Sequence, residues 1–591
     1  MPTGNALEVV VELDRPCTLR DGVVLRSDVY RPVTDEEVPV LLTRHPYGKN
    51  AHTMDKPYFD HIRVAAQGYI VVIQDVRGRY ASDGEFRSEF QEADDGYDAV
   101  EWAAQLPGSS GVVGMFGRSY HALTQWAAAR NRPAALRTIA PGFSPGDSML
   151  TGFMNRGGAH EFGSRVYWSH RHALDTIRRL AGGEDNDRFA KLLDEYEAHD
   201  SEVTSGRIFL RRPLNRFQEA PPLTVSACRS FGLPVDDRGY EAVETRGIYG
   251  DLDVTAFLVA GWYDIFLGST LSQYEGMRAA ALERGSEPPH LLVGPWTHID
   301  GTGRFRQEDY GVHSGTTMLG VDADLMGQHL RWFDAHLKGV TAPLESVSPV
   351  RLFVMGTNRW VGFEAFPPPD STTESWYLQP DGTLAPTEPA SSEPSEYVYD
   401  PEVPVPTVGG ASLLTGSYPA GPADQSVLDG RADILRFESA ELTEPLTLVG
   451  RLEARVFAET SAVDTDFVAR LVDVHPDGRK ILVADGIVRA SARETFRPGG
   501  EVVRTAPTPV EPGRVSEYVI DLWATARTFL PGHRLRVEVT SSSFPRWDPN
   551  LNTGRDPYVD AESQPARQRI HHEPGAASRV LLPVLPDLPQ Q

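Results

Sequence analysis

Cysteine is nearly absent from this sequence: 591 residues hold only Cys17 and Cys228. So few exclude a disulfide-stapled scaffold, and neither has the CxxC neighbour of a redox or zinc motif. Reduced packing thiols are the expectation, with a single Cys17–Cys228 bridge left open. Long apolar runs are missing as well. Nothing approaches the roughly 18 consecutive apolar residues that span a bilayer. The start, MPTGNALEVVVELDRP, lacks the basic-then-apolar layout of a secretory signal. Positive charge is also in short supply, with 57 Lys and Arg against 82 Asp and Glu and a net charge of −25. That balance argues against a nucleic-acid partner and against docking on anionic membrane. Neither HExxH nor GxxxxGK[ST] occurs, nor a strand-linked GxGxxG, so no metal and no cofactor are expected. The expectation is a soluble, cytoplasmic protein.

What is present has a rhythm. Apolar residues make up 40% of a chain too long for one core, so two or three domains are expected. VVVELDR and VVLRSDVYRP alternate as strands across an RDG turn. VPVLLTRHPYG, YIVVIQDVRG and VVGMFG are continuous apolar runs of the kind buried in a parallel sheet. EADDGYDAVEWAAQL and SYHALTQWAAARN have helical spacing, with Tyr97, Val100, Ala104 and Leu106 on one side of the first. This alternation predicts a doubly wound α/β sheet over residues 1–144. Residues 145–245 read as an inserted helical cap. The sheet pattern resumes over 246–347 with TAFLVAGWYD and HLLVGPWTH. From 348 to 591, short strands with turn signals predict a jelly-roll β-sandwich, and the Pro-, Ser- and Gly-rich stretch 365–425 reads as long ordered loops.

The stretch GMFGRSYHALTQW poses the chemical question. A strand, a tight turn, a serine and a helix start are the parts of a nucleophile elbow. The pattern G-x-S-x-G is incomplete, since His121 stands where the second glycine would be. Serine is also a common helix N-cap, and the segment alone leaves both readings of Ser119 open. A serine nucleophile needs a base and an orienting carboxylate. Asp264 ends one buried run and His298 ends the next, in the order Ser, Asp, His. Parallel strands align their C-terminal ends along one edge, so the three are expected to meet there. His290 lies at the opposite edge, and His45 precedes Asp264 without a nearby carboxylate. His121 falls within the first turn after Ser119 and is expected to line the pocket. For an oxyanion, the Tyr120 backbone N–H is a natural donor, with a second expected from the HPYGK loop.

Together with QDVRGRYASDGEF, AGWYD, GPWTH, TDFVARLVDVHPDGR, DGIVRAS and SSSFPRWDPNLNTG, these stretches resemble the CocE/NonD group of serine hydrolases, related to X-prolyl dipeptidyl aminopeptidases. The resemblance runs from about residue 10 to beyond 550. It implies an α/β-hydrolase core with a helical cap and a C-terminal jelly roll. It also implies Ser119 as nucleophile, His298 as base, Asp264 as orienter, and a hole made by the Tyr47 hydroxyl and the Tyr120 N–H. One position departs from the group: Ala122 replaces the glycine three past the serine. An acidic residue for a substrate amine is found near there in amino-acid ester hydrolases, so Ala122 argues against that branch.

The expected activity is hydrolysis of a small carboxylic ester, or an amide, through an acyl-enzyme. The pocket is expected to be walled by His121, Trp168, Trp262 and Phe266, with Phe153 and Tyr167 from the cap. Two alternatives remain. An X-Pro dipeptidyl aminopeptidase would need an acidic anchor such as Glu161 or Asp175, and an inactive binding protein would use the jelly roll. The partners expected are a small ester or amide, no nucleic acid, no membrane, and a second copy in a possible homodimer.

Overall fold

The computed structural model describes residues 6–50, 58–88, 90–146, 155–214, 244–318, 324–390, 393–414, 416, 418–495, 503 and 506–589. Cys228 and Phe153 lie outside the described residues, as do parts of the expected cap. Cys17 is a free, buried thiol, and burial pushes its pKa up to about 12. Among the described residues no helix is long and apolar enough to cross a membrane.

The hairpin read from the first two alternating runs is β1 (Val9–Thr18) paired antiparallel with β2 (Val24–Pro32). The continuous apolar runs become β3 (Val38–His45), β4 (Ile70–Asp75), β5 (Ser109–Arg118) and β6 (Leu136–Gly142). A two-residue hairpin, β7 (Asn155–Arg156) with β8 (Ala159–His160), follows, then β9 (Thr255–Tyr263), β10 (His290–Thr297), β11 (Val350–Val354) and β12 (Arg359–Phe363). All but β7 and β8 form one ten-stranded sheet in the order β1-β2-β4-β3-β5-β6-β9-β10-β11-β12. From β4 to β11 every pairing is parallel. These strands are buried on both faces, which is why they read as unbroken apolar runs rather than alternating ones.

The sheet extends further than expected. The run PVRLFVMG, assigned from sequence to the sandwich, is β11, and with β12 it continues the large sheet beside β10. Short alternating strands look alike whichever sheet they join, so the pattern could not separate them.

Helices α1 (His61–Ala65), α2 (Glu92–Ala104), α3 (Tyr120–Arg130), α7 (Leu267–Arg284) and α8 (Leu325–Lys338) accompany the sheet, and their apolar side chains share one core with it. Between β6 and β9 lie α4 (Phe162–Arg171), α5 (Ala173–Ala181) and α6 (Asp187–Ser205). The buried stripe of α2 overlaps only in part with the one the apolar pattern picked out: Val100 and, just past the helix, Leu106 are buried as expected. Glu92, Asp95, Gly96, Ala99, Val100 and Ala103 face inward, whereas Tyr97 and Ala104 are only half-buried.

The C-terminal part packs a seven-stranded sheet and a four-stranded sheet around a second core, a β-sandwich. The alternating run ESWYLQ falls in a strand of it, Thr372–Leu378, and a second strand, Ser395–Tyr399, comes from the stretch expected as loops.

Candidate active site

β5 delivers Ser119 at its C-terminal end, directly before α3. Ser119 has φ +62° and ψ −128°, a conformation non-glycine residues rarely adopt, and its N–H donates to the Gly142 carbonyl at 2.9 Å. Such strain persists only where its surroundings enforce it. The helix-cap alternative fails on geometry. Ser119 occupies the N-cap position but its side chain makes no capping hydrogen bond. Its Oγ lies instead 2.9 Å from His298 Nε2.

His298 follows β10, and Asp264 follows β9, the neighbouring parallel strand. His298 Nδ1 is 2.6 Å from Asp264 Oδ1, and the other Asp264 oxygen accepts from the Phe266 N–H at 3.0 Å. A carboxylate only accepts, so Nδ1 carries the proton and Nε2 is left to accept from the serine hydroxyl. Both are buried, so the pair works at low local dielectric. Phe266 closes one side, its ring edge-on to the imidazole at 5.2 Å. Arg118, next to Ser119, donates from Nη1 to the His298 carbonyl at 3.1 Å.

The HPYGK loop follows β3 and arrives at the same edge. Tyr47 and Ser119 line a common cavity, and the Tyr47 hydroxyl accepts from Trp168 Nε1 at 3.3 Å. The loop is held by Asp75 at the end of β4, which accepts from the Lys49 N–H at 2.7 Å and the Ala81 N–H at 3.2 Å. Burial raises the Asp75 carboxyl to about 6 against the pull of those donors.

Two spaces meet at Ser119. A narrow recess is lined by Tyr120, Glu161, Trp168, Ile265, Phe266 and Leu413. A wider cavity of about 550 Å³ is bordered by Tyr58, His121, Tyr167, Trp168, Arg171 and Leu413. A volume of that order suits a small organic ligand.

Of the pocket residues expected from sequence, His121, Trp168 and Phe266 line these spaces, as does Tyr167 from the cap. Trp262 does not. It lies within β9 rather than past its end, packs in the core, and donates its indole N–H to the Phe353 carbonyl at 2.8 Å. His121 is buried, lies 2.8 Å from the Thr43 hydroxyl through Nδ1, and is pushed down to about 3 by its burial.

The two acidic residues weighed as amine anchors separate. Asp175 is locked to Arg178 at 2.7 Å and Arg179 at 3.4 Å, accepts from the Tyr80 N–H, and lines neither space. Glu161 lines the recess, accepts from Trp547 Nε1 at 2.9 Å, and lies 3.6 Å from Arg546 Nε. Burial pushes its carboxyl upward. Leu413, which lines both spaces, went unnoticed from sequence, although the apolar pair in SLLTG stands out within its Pro- and Gly-rich surroundings.

The fold also gathers Asp473, His475 and His533 at metal-ligand spacing, which no sequence motif announced. A cation is already there. Arg527 binds Asp473 at 2.6 and 2.9 Å and comes within 3.4 Å of His475 Nε2, while His533 Nδ1 takes the other carboxylate oxygen at 2.7 Å. A guanidinium so placed opposes a divalent ion by charge.

Known proteins resemble this chain along nearly its whole length. Residues 21–300 match the model of the X-Pro dipeptidyl-peptidase (S15) family, and residues 344–581 match the C-terminal non-catalytic domain of X-Pro dipeptidyl-peptidases. The cocaine esterase of Rhodococcus sp. (strain MB1 Bresler) is 37% identical over 587 residues, covering 96% of this chain and 97% of the relative. An aminopeptidase of a marine-sediment Thaumarchaeota archaeon superposes with a TM-score of 0.77 at 24% identity, covering 99% of this chain and 97% of its own. A CocE/NonD family hydrolase of Staphylococcus aureus superposes with a TM-score of 0.67 at 18% identity, covering 98% and 94%. At those identities the two structures speak for the shared fold.

Proposed function

This chain belongs to the S15 family of α/β-fold serine hydrolases, together with the CocE/NonD hydrolases, and from that premise we propose that it hydrolyses carboxylic esters of small organic substrates through Ser119. The observation that carries the reading is the hydrogen-bonded series Ser119–His298–Asp264, at 2.9 and 2.6 Å, with the serine in a strained elbow. Its support from relatives is the full-length likeness to an esterase.

Ser119 Oγ attacks the ester carbonyl while His298 Nε2 takes its proton. Asp264 holds the imidazole in the required tautomer and stabilises the imidazolium. The carbonyl oxygen becomes an oxyanion facing the Tyr47 hydroxyl and the Tyr120 N–H. Each such donor contributes about two to three orders of magnitude to kcat. His298 then returns its proton to the leaving alcohol, whose bond to the carbonyl carbon breaks. A water deprotonated by His298 attacks the acyl-enzyme, and Ser119 leaves with the proton and frees the acid.

A second reading is favoured by one observation, the carboxylate of Glu161 in the wall of the recess. It would suit a substrate bearing an amine, as an X-Pro dipeptidyl peptidase requires. Arg546 nearby already offsets part of that charge, which favours the ester reading.

The test compares 4-nitrophenyl acetate with an Ala-Pro 4-nitroanilide, using the Ser119→Ala protein as blank. Ester turnover with negligible anilide turnover is expected. Anilide turnover that exceeds the ester's and collapses in Glu161→Gln would replace the first reading with the second.

A further inference from the structure

The EADDGYD stretch takes no part in the reaction described above, yet its first residue lies beneath the reacting centre. Glu92, in the first turn of α2, is fully buried. Its Oε1 accepts from the Tyr120 hydroxyl at 2.9 Å, and its Oε2 lies 3.1 Å from Arg44 Nη1. Arg44 is fully buried too and donates from Nε to Gln74 Oε1 at 2.8 Å. Thr124 of α3 closes the loop by donating from Oγ1 to the Arg44 carbonyl at 3.1 Å.

These contacts connect the two residues assigned to the oxyanion hole. Arg44 stands on β3, three residues before Tyr47, and Tyr120 follows Ser119. Gly96 permits the approach: a Cβ there would meet the Ala128 Cβ at 2.8 Å and Arg44 Nη1 at 3.2 Å. A buried ion pair is a poor source of stability, because desolvating two charges offsets most of their attraction. Its usefulness here is geometric, since a misplacement of about 1 Å in a catalytic group costs roughly a hundredfold in rate.

We propose that Glu92, braced by Arg44, is a positioning residue for the oxyanion hole, holding Tyr120 by its hydroxyl and tying it to the strand that leads into Tyr47. The proposal rests on the reading of Tyr47 and the Tyr120 N–H as the oxyanion donors.

The experiment measures 4-nitrophenyl acetate hydrolysis by the full-length protein and its Tyr120→Phe, Glu92→Ala, Glu92→Gln and Tyr47→Phe variants, with melting temperatures alongside. Tyr120→Phe leaves the backbone N–H and the Arg44–Glu92 pair in place. It is expected to lower kcat about tenfold with KM little changed, short of the roughly hundredfold of a full misplacement. Glu92→Ala should lose at least as much, Glu92→Gln should recover most of it, and the Tyr120→Phe/Glu92→Ala double variant should fall no further than Glu92→Ala. Should Glu92→Ala not fold because Arg44 is left uncompensated, Tyr120→Phe, which keeps the Arg44–Glu92 pair, decides the matter. A wild-type kcat in Tyr120→Phe, a loss confined to KM, or losses that multiply in the double variant would overturn the proposal. Tyr47→Phe separates the two levels. If it loses activity while Tyr120→Phe does not, only this proposal fails. If Tyr47→Phe is as active as wild type, the reading of the hole itself fails.

Discussion

Gly117 and His121 face each other across the elbow, and a Cβ on residue 117 would lie only 2.5 Å from the His121 Cβ. The two positions are therefore complementary. A histidine fits where the elbow pattern has glycine because residue 117, at φ +121°, carries no side chain. Gly117→Ala meets both the clash and the backbone strain, and is expected to cost about 2 kcal/mol or more in urea denaturation. Esterase activity should fall with it, because Ser119 is two residues away. Adding His121→Gly, which removes the clashing Cβ, should restore part of the stability and leave the strain, a partial rescue that additive, independent sites would not show.

The two tryptophans expected in the pocket should behave oppositely. Trp262 is core, so Trp262→Ala should destabilise by about 3–5 kcal/mol, while the relative rates on small and bulky esters stay as they are. Trp168 lines both spaces and donates to the Tyr47 hydroxyl. Trp168→Phe should shift the ester size preference and lower kcat with little change in melting temperature. A substrate panel combined with thermal denaturation reads both.

His121 gives an acid sensitivity with a defined sign. Its folded pKa is about 3 against an ordinary value near 6.5, because burial disfavours the imidazolium. Between those values the unfolded chain binds a proton that the fold does not, so stability falls as pH falls through 6.5. From pH 7 to pH 5 this one group is expected to remove about 2 kcal/mol. Urea unfolding of wild type and His121→Gln at both pH values measures it: the wild type should lose that much more than the variant.

The meeting of Ser119, Asp264 and His298 was legible because each sits just past a continuous apolar run, and parallel strands bring such ends to one edge. Trp262 was misread because it stands inside its strand, where its side chain packs in the core, rather than past the strand's end. The contribution of Leu413 could not be read, because a residue from the sandwich region reaches the site only through tertiary packing. Glu92 was hidden by periodicity. A pattern that assigns polar residues to the surface has no place for a carboxylate buried against an arginine and a tyrosine hydroxyl. The β11–β12 hairpin was given to the wrong sheet because strand signals describe local extension and carry no record of the partner. The residue at 122, which departs from the group's glycine, turns out fully buried in α3, where alanine packs without strain.

Ser119 is the proposed nucleophile, and fluorophosphonate labelling tests that most directly. Intact-mass and peptide mapping should find one adduct, on the Ser119 peptide, absent from Ser119→Ala and formed about 10⁴-fold more slowly in Asp264→Asn, where the imidazole loses its orienting partner. An unlabelled Ser119 in the wild-type protein, or an adduct that persists in Ser119→Ala, would contradict it.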